Sequence, residues 1–320
     1  MITLADIRAA QQRIRHVAIH TPLILYPSHN NQQQLFFKPE NFQPIGAFKI
    51  RGAYNAIACL SEDERRRGVI AHSSGNHAQA VAYSARVLGC KAVIIMPQNA
   101  PNVKLSKTRE YGAEVVIVGN ASSERIAKAD ALQAEHGYVP IPPYDHAHVI
   151  AGQGTLGLEV LHDLPELGMI LVPVSGGGLL SGVAAAIKLS QPGVKVIGVE
   201  PAFAGDASAS LKQGRVVSFT AEQVSRTLAD GLRVQQLGEL TWPHIQAYVD
   251  DIVTVSEDEI KDAMRKLAWN AKLVSEPSGA VAFAAWLHHQ HQLPVVTFNV
   301  AVISGGNVEP SQFVEIVGNP

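Results

Sequence analysis

Short runs of apolar residues alternate along the chain with longer segments in which apolar positions recur at helical spacing. The runs have the length of strands that are buried on both faces. They predict strands at 35–37, 69–72, 92–96, 115–118, 169–174, 194–199, 252–255 and 295–303. The segments with helical spacing predict helices at 51–59, 78–88, 103–111, 122–136, 149–161, 179–189, 257–269 and 278–288.

A further helix is predicted at the start of the chain. Thr3 can cap it, Asp6 suits its first turn, and apolar positions recur on one face up to Ile14. It is expected to end at Thr21-Pro22. Because strand and helix alternate throughout, we predict the α/β class, with parallel sheets covered by helices on both faces. Ligand loops are expected at the carboxyl ends of the strands.

The composition narrows the classes of function. The chain is 47% hydrophobic and 17% charged, which is ordinary for a globular protein with a sizeable core. A net charge of -2 offers no basic field to nucleic acid or anionic lipid. No apolar stretch reaches the roughly 18 residues of a membrane span, and 1–15 is too charged for a signal peptide. The two cysteines suit a reducing compartment, so we expect a cytoplasmic protein. From the charge and the short apolar stretches, we expect neither nucleic-acid nor membrane partners.

A lysine stands in an apolar, turn-rich stretch that runs from Phe42 to Gly52 and reads F-Q-P-I-G-A-F-K-I-R-G. Lys49 has Phe48 and Ile50 as its neighbours. Apolar surroundings disfavour the ammonium form of a lysine, and the free amine is a nucleophile toward carbonyl carbons. Taken alone, the pattern also fits a lysine with a buried stem and a charged end in water.

Three consecutive glycines follow the predicted strand 169–174, in the segment Ser175, Gly176, Gly177, Gly178 and Leu179. Glycines let several backbone N–H groups converge, and the helix that follows adds positive potential, so this loop predicts a phosphate site. No Lys-Ser or Lys-Thr pair follows, which argues against a nucleoside-triphosphate loop. A tight turn without a ligand is the alternative.

A second glycine pattern, Gly152, Gly154 and Gly157, matches the dinucleotide fingerprint G-x-G-x-x-G. The residues before it are turn-like, and no acidic residue follows at about 20 positions, where a ribose partner would lie. We therefore interpret these glycines as helix-packing and turn positions. An NAD-dependent enzyme is correspondingly disfavoured.

A polar segment, Ser73, Ser74, Gly75, Asn76 and His77, lies between a predicted strand and a predicted helix. Its hydroxyls, its amide and the helix N-terminus converge, which suits a carboxylate ligand. A plain helix cap would use the same residue types. Both interpretations stay open at this point.

Two groups of residues have metal-binding character. Glu200, Ala204 and Asp206 lie in one loop, where two carboxylates and a carbonyl could hold a hard cation, although a solvated acidic loop fits the spacing as well. The histidines of 288–291 follow an amphipathic helix without a carboxylate partner in the sequence. We interpret them as an exposed helix end.

Together, four segments carry a family resemblance. Phe42–Gly52, Ser73–His77, Ser175–Leu179 and Ser304–Asn307 occur in the order and at the distances found in the serine/threonine dehydratase and serine racemase family. The chain resembles this family over nearly its whole length. Its members are pyridoxal-phosphate enzymes of the tryptophan-synthase-β fold type, fold type II.

The resemblance implies two domains, each an open and mostly parallel sheet with helices on both faces. The large domain would comprise 1–67 and 142–320, with the cofactor lysine, the phosphate loop and Ser304. The small mobile domain would comprise 68–141, with the Ser-Ser-Gly-Asn-His loop. The family also suggests a homodimer or homotetramer.

Roles for single residues follow from the same resemblance. Lys49 would be the Schiff-base lysine, Ser304 would face the pyridine nitrogen, Asn76 would hydrogen-bond the 3-hydroxyl, and Phe48 would pack on the ring. The phosphate would bind the backbone of Ser175, Gly176, Gly177, Gly178 and Leu179. The substrate carboxylate would bind Ser73, Ser74, Gly75 and His77.

Positions outside these motifs also match the family. Glu200, Ala204 and Asp206 correspond to its divalent-cation site, with Mg²⁺ expected and Ca²⁺ or Mn²⁺ as alternatives. Ala229-Asp230-Gly231 resembles its A-D-G segment near the cofactor, and Glu276 its acidic position by the pocket.

Two departures from the family pattern concern the walls of the site. Ala47 stands where the family usually has serine, and Ile45 where it has a polar or basic residue. Racemases hold the distal group of a substrate with an arginine. In this chain Ser123 falls at that position, with Arg125 nearby.

The activity implied is α,β-elimination from a β-hydroxy L-amino acid, L-threonine or L-serine, to a 2-oxo acid and ammonia. One alternative is a racemase of serine or a related amino acid, in which Ser74 would protonate Cα on the face opposite Lys49. Another is a threo-3-hydroxyaspartate dehydratase. A non-catalytic pyridoxal-phosphate-binding protein is a remote alternative, because degenerate copies would be expected to lose Lys49, Ser74, Asn76 or Ser304.

Overall fold

The computed structural model describes residues 1–27, 33–73 and 75–318, which form two sheets surrounded by helices. The strands are β1 (Ile24–Leu25), β2 (Gln34–Pro39), β3 (Val69–His72), β4 (Ala92–Pro97), β5 (Glu114–Val118), β6 (Val139–Pro140), β7 (Met169–Pro173), β8 (Lys195–Pro201), β9 (Asp251–Val255) and β10 (Phe298–Ile303). The helices are α1 (Leu4–Ile14), α2 (Lys49–Ala58), α3 (Glu62–Arg67), α4 (Asn76–Val87), α5 (Asn102–Glu110), α6 (Ser122–His136), α7 (Ala147–Asp163), α8 (Gly178–Ser190), α9 (Asp206–Gln213), α10 (Ala221–Ser225), α11 (Thr241–Tyr248), α12 (Glu257–Lys266), α13 (Pro277–His288) and α14 (Pro310–Val317).

The larger sheet has the strand order β1-β2-β10-β7-β8-β9, and the smaller sheet has the order β5-β4-β3-β6. Every neighbouring pair is parallel except β1 and β2. The predicted α/β class with open, mostly parallel sheets is therefore confirmed. The strands of the smaller sheet fall between residues 69 and 140. The domain boundaries themselves stay a prediction.

The continuous apolar runs are explained by burial of both sheet faces. In β7, Met169 and Leu171 belong to the core that includes α12 and α13, whereas Ile170 and Val172 belong to the core that includes α7 and α8. Successive side chains of a strand point to opposite faces, so a strand covered on both sides is apolar throughout. Within the described ranges, no helix has the length and apolar character needed to cross a bilayer.

The glycines of the dinucleotide-like pattern lie inside α7, away from any strand-to-helix turn. A Cβ on Gly152 would come within 2.5 Å of the Arg51 carbonyl oxygen of α2, and one on Gly154 within 2.8 Å of the Gly182 carbonyl oxygen of α8. Such distances are possible only for glycine, because α7 packs backbone to backbone against both helices. The interpretation of these residues as packing positions is confirmed.

Helix α1 begins as predicted and ends earlier than predicted. Thr3 accepts a hydrogen bond from the backbone of Asp6, and the Asp6 side chain accepts one from the backbone of Thr3, which forms a capping box. The helix ends at Ile14 and does not reach Thr21-Pro22. The Gln43 side chain pairs with both backbone groups of Ile19, at 2.9 and 2.8 Å, and thereby replaces helical hydrogen bonds.

A buried ion cluster lies directly behind the start of α2. Arg51 donates to Glu40 of the turn after β2, at 2.7 and 2.8 Å, and to Glu159 of α7, at 2.6 and 2.8 Å. Lys38 completes the cluster with a 2.7 Å ion pair to Glu159. Arg51, Lys38 and Glu40 are fully buried. The two cations and two carboxylates balance in charge, and they join β2, α2 and α7 around the segment that carries Lys49.

Candidate active site

A cavity of about 690 Å³ lies among loops that follow the carboxyl ends of β3, β7 and β10. It is lined by nearly all the residues that the family resemblance assigns to the cofactor or to the substrate: Phe48, Lys49, Ser73, Gly75, Asn76, His77, Ser175, Gly176, Gly177, Gly178, Leu179 and Ser304. The structure thus brings together segments that are far apart in the chain. Ser74 lies outside the described residues.

Lys49 is the first residue of α2 and points into this cavity. Its Nζ donates to the carbonyl oxygen of Pro143 at 2.7 Å and lies 5.1 Å from the centre of the Phe48 ring. Burial lowers the pKa of Lys49 from 10.5 to about 8, because the ammonium form loses its hydration. The amine is therefore available as a nucleophile or a base near neutral pH.

The glycine loop packs closely against neighbouring side chains. A Cβ on Gly176 would come within 2.6 Å of the Tyr144 ring, and one on Gly177 within 2.8 Å of Thr241. Gly177 also has a φ of +96°, which other residues rarely adopt. The start of α8 at Gly178 leaves its first N–H groups without partners inside the helix, so they are available to an anion at the loop.

Ser304 follows β10 and occupies the wall beside Phe48. The Ser304 side chain is buried, and its hydroxyl lies 3.4 Å from the Ser278 carbonyl oxygen. The Phe48 N–H donates to the Ser304 carbonyl oxygen at 3.0 Å, and Ala47 forms a bridge with Gly305. Backbone pairing therefore fixes the position of Ser304 relative to Lys49.

Asn76, the first residue of α4, is held by side chains on both ends of its amide. Its Nδ2 donates to Glu276 in a short hydrogen bond, and its Oδ1 accepts from Asn307 Nδ2 at 3.0 Å. Asn307 is itself fixed by a 2.8 Å hydrogen bond to the Ile45 carbonyl oxygen. Since Nδ2 carries two N–H groups, one remains for a ligand in the cavity.

The sequence interpretation missed Lys104, which lies against this polar group. Its side chain is 3% exposed, and its Nζ lies 2.6 Å from Asp230 and 3.4 Å from Glu276. A signal for it exists in the sequence, because Lys104 stands in the first turn of α5, where the helix dipole disfavours a cation. A lysine at that position needs a compensating acidic partner, although the sequence alone does not identify Asp230.

His77 differs from a simple carboxylate ligand. It is buried, and its Nε2 lies 2.7 Å from the Ile141 carbonyl oxygen. Burial, together with the nearby Lys49 charge, lowers the pKa of His77 to about 3, so the ring is neutral at physiological pH. Because Ile141 can only accept, the Nε2 carries the proton. An ionic attraction to a carboxylate is therefore unavailable to this side chain.

The outer wall of the cavity contains an arginine. Arg125 lines it together with Asn120, and Arg125 Nη1 donates to the Asn120 carbonyl oxygen at 3.0 Å. Burial lowers the pKa of Arg125, although it remains a cation at any ordinary pH. In the sequence, Ser123 falls at the position of the racemase arginine, with Arg125 nearby, and the structure places Arg125 in the lining of the cavity.

The acidic loop 200–206 has the properties of an incomplete cation site. Glu200 is buried and accepts from the backbone N–H groups of Ala207 and Ser208 at 3.2 and 2.7 Å. Asp206 is also buried, and neither carboxylate oxygen has a hydrogen-bond partner in the described chain. Burial raises the pKa of Asp206 to about 7, and burial together with Asp206 raises that of Glu200. Residues of this kind fit a hard cation, which would neutralise both groups.

The histidines at the end of α13 correct the sequence interpretation in one respect. They do have carboxylate partners, because His288 lies 2.9 Å from Asp262 and His289 lies 3.1 Å from Glu259. These partners come from α12, so the sequence around the histidines could not identify them. In the chain as described, no group of three or more His, Cys, Asp or Glu side chains is arranged to hold a metal.

The donors around the cavity fit pyridoxal phosphate. A buried amine with a lowered pKa beside an aromatic ring suits the aldehyde carbon, and the glycine loop at the start of α8 suits a phosphate. Asn76 and Ser304 add neutral polar groups to the lining of the same cavity. The individual cofactor contacts stay predictions.

Comparison with known proteins supports this assignment. Residues 14–305 match the family described as "Pyridoxal-phosphate dependent enzyme". The chain is 46% identical to an L-threonine ammonia-lyase of Thermotoga maritima over 99% of its own length and 78% of the relative's. It is 42% identical to an L-threo-3-hydroxyaspartate ammonia-lyase of Saccharomyces cerevisiae, and the match covers 98% of this chain and 96% of that relative.

Among solved structures, maize serine racemase superposes with a TM-score of 0.93 and 38% identity. The match covers 98% of this chain and 96% of that chain. The resemblance to the serine/threonine dehydratase and serine racemase family is therefore confirmed, and so is the predicted fold type II.

Proposed function

This chain belongs to the family of pyridoxal-phosphate dependent enzymes, and on that premise we propose that it removes ammonia from a β-hydroxy L-amino acid. L-threonine and L-serine are the proposed substrates, and a 2-oxo acid is the product. The observation that carries the proposal is the buried Lys49 amine in one cavity with the glycine loop and Ser304. L-threo-3-hydroxyaspartate is a further candidate substrate, supported by the relative named as an ammonia-lyase of that amino acid.

Lys49 is proposed to take the proton from Cα of the substrate. A general base must be neutral and within hydrogen-bond reach of the proton, and burial gives Lys49 a neutral fraction near working pH. When bound, pyridoxal phosphate supplies the electron sink for the charge left at Cα. The Pro143 carbonyl oxygen accepts a 2.7 Å hydrogen bond from Lys49 and so helps to hold the amine at the wall of the cavity.

Other residues are proposed to bind and orient the cofactor and the substrate. The backbone of Ser175–Leu179 is proposed to hold the cofactor phosphate, and the free N–H of Asn76 its 3-hydroxyl. Ser304 would offer a neutral hydroxyl to the ring nitrogen, and a neutral partner there would not stabilise a full positive charge on the ring. Ser73, Ser74, Gly75 and His77 are proposed to receive the substrate carboxylate, with His77 acting as a neutral group.

A racemase is the second candidate, and the overall similarity to maize serine racemase favours it. Inversion at Cα needs a second acid or base on the face opposite Lys49. Ser74 is the residue proposed for that role. A cytoplasmic location and a homodimer or homotetramer remain predictions from the sequence.

Product analysis distinguishes these candidates. Purified protein would be incubated with L-threonine, L-serine, their D-isomers and threo-3-hydroxyaspartate, and both 2-oxo acid and amino-acid chirality would be measured. We expect 2-oxo acid from L-threonine or L-serine in excess of inverted amino acid. Inverted amino acid in excess would make the protein a racemase first. If none of these substrates yielded 2-oxo acid or inverted amino acid, that result would contradict the proposal.

We also propose that Glu200, Asp206 and the carbonyl of Ala204 bind a divalent cation, with Mg²⁺ as the first choice. A cation that binds only the folded protein should stabilise it by ~2.7 kcal/mol at 100 times its dissociation constant. Asp206→Asn should abolish this Mg²⁺-dependent rise in unfolding free energy. The control is Asp258→Asn, because Asp258 is an acidic side chain that is 93% exposed. Equal Mg²⁺ effects in both variants would remove the site from loop 200–206.

A further inference from the structure

Lys104 connects two parts of the fold beside the cavity. It belongs to α5, which follows a strand of the smaller sheet, whereas Asp230 and Glu276 belong to segments around the larger sheet. The ammonium group is 2.6 Å from Asp230 and 3.4 Å from Glu276. Two neighbours on α5 make parallel contacts, since the Val103 N–H donates to Glu309 at 3.0 Å and Lys107 lies 3.3 Å from Asn307.

The Glu276 carboxylate depends on this cation. It is 2% exposed, and three polar groups face it: Asn76 from α4, Lys104 from α5 and Asp230 from the turn after α10. Asn76 supplies a neutral hydrogen bond, and Asp230 adds a second negative charge. Burial raises the pKa of the Glu276 carboxyl, and the Asp230 charge adds to this. Lys104 opposes both by favouring the ionised form, and the Asn76 hydrogen bond acts in the same direction to a smaller extent.

The charge of Glu276 decides how the Asn76 amide is held. An ionised carboxylate only accepts hydrogen bonds, so it orients the Asn76 Nδ2 toward itself, and Asn307 holds the Oδ1. A protonated Glu276 can still accept through its carbonyl oxygen, but its O–H can instead face the Asn76 N–H, so the orientation of the amide is no longer enforced. If the amide then turned over, its Nδ2 would meet the Nδ2 donor of Asn307. In either arrangement Asn76 loses a partner.

We propose that Lys104 is a positioning residue for the cofactor, which acts through Glu276 to fix the orientation of the Asn76 amide in the cavity. This rests on the proposed function, in which the remaining N–H of Asn76 meets the 3-hydroxyl of pyridoxal phosphate. Lys104 is not among the residues that line the cavity, whereas Gly75, Asn76 and Glu276 are. Its effect is therefore on the binding and the electronic state of the cofactor.

Lys104→Met tests the proposal through two readouts other than activity. The dissociation constant of pyridoxal phosphate, measured by titration of cofactor-free protein, should rise about tenfold or more, as for the loss of one hydrogen bond to a charged group. The visible absorption band of the bound cofactor should move from its wild-type wavelength. Lys91→Met is the matched control, because Lys91 makes a 2.9 Å ion pair with Glu114 at an exposed site.

The double variant Lys104→Met/Glu276→Gln separates positioning from a merely structural ion pair. A glutamine at 276 is neutral without Lys104, and its side-chain oxygen still accepts from Asn76. Both the absorption band and the dissociation constant should therefore return toward the wild-type values. A purely structural role predicts that losing both charged partners does not restore either quantity, and that result would overturn the proposal.

The outcomes also separate this inference from the proposed function. An unshifted band and unchanged affinity in folded Lys104→Met, as checked by circular dichroism, would overturn the role of Lys104 alone. A wild-type protein that takes up no pyridoxal phosphate would overturn the proposed function. Should Lys104→Met fold poorly, Lys104→Gln removes the same charge and is expected to give the same band shift.

Discussion

Replacing Lys49 with alanine is expected to lower kcat/KM for L-threonine or L-serine by roughly 10³-fold or more. Positioned general bases contribute about 10²–10⁴-fold, and Lys49 is also the proposed site of covalent cofactor binding. The quantity to measure is the initial rate of 2-oxo acid formation at saturating pyridoxal phosphate. Lys261→Ala serves as the control, because Lys261 pairs with Asp258 on the surface at 3.3 Å. Unchanged turnover in Lys49→Ala would end its assignment as base and cofactor lysine.

The same residue predicts the direction of a pH dependence. Burial lowers the pKa of Lys49 to about 8, so its neutral fraction increases as the pH rises through 8. Because the neutral amine is the nucleophile, incorporation of pyridoxal phosphate into cofactor-free protein should accelerate between about pH 7 and pH 9 and then level off. A rate that kept increasing up to pH 10 would indicate a lysine with an ordinary pKa.

The second large effect is expected from Arg51→Met. This change leaves Glu40 and Glu159 buried with Lys38 as the one remaining cation of the cluster. Removing one partner of a buried ion pair typically costs about 3–5 kcal/mol, since the other charge is left without compensation. The free energy of unfolding, from guanidinium denaturation followed by circular dichroism, should fall by that amount.

A surface ion pair provides the comparison for Arg51. Arg66 pairs with Asp63 at a site where both side chains are at least 70% exposed. Solvent screens such a pair, so Arg66→Met should leave the denaturation midpoint close to that of the wild-type protein. If Arg51→Met and Arg66→Met shifted the midpoint equally, the buried cluster would not be what stabilises the segment around Lys49.

Local sequence patterns were sufficient to predict most of the strands and helices of the fold. The strand at 69–72 was predicted to the residue, because its first three side chains are apolar and buried and a glycine precedes it. Lys49 was singled out by its apolar neighbours and given its role at the cofactor by the family resemblance, and the glycine loop was singled out by its place between a buried strand and a helix. In each case the physical signal lies within a few positions of the residue concerned.

Features that depend on distant residues were missed. Helix α11 was not predicted, and its start is capped by Asp145, which accepts from the Leu240 and Thr241 backbone at 2.8 and 3.1 Å. The ion cluster unites Arg51 with Glu159, 108 positions away. Lys104 has partners in Asp230 and Glu276, which come from other parts of the fold. No local spacing encodes such pairs, because only tertiary packing brings them together.

The most direct test of the account is to reduce the protein loaded with pyridoxal phosphate with borohydride, and to locate the label by peptide mass spectrometry. We predict that the visible band disappears and that the label is found on the peptide containing Lys49. A label on another lysine, such as the buried Lys104 beside the same cavity, would contradict the account, as would the absence of any label.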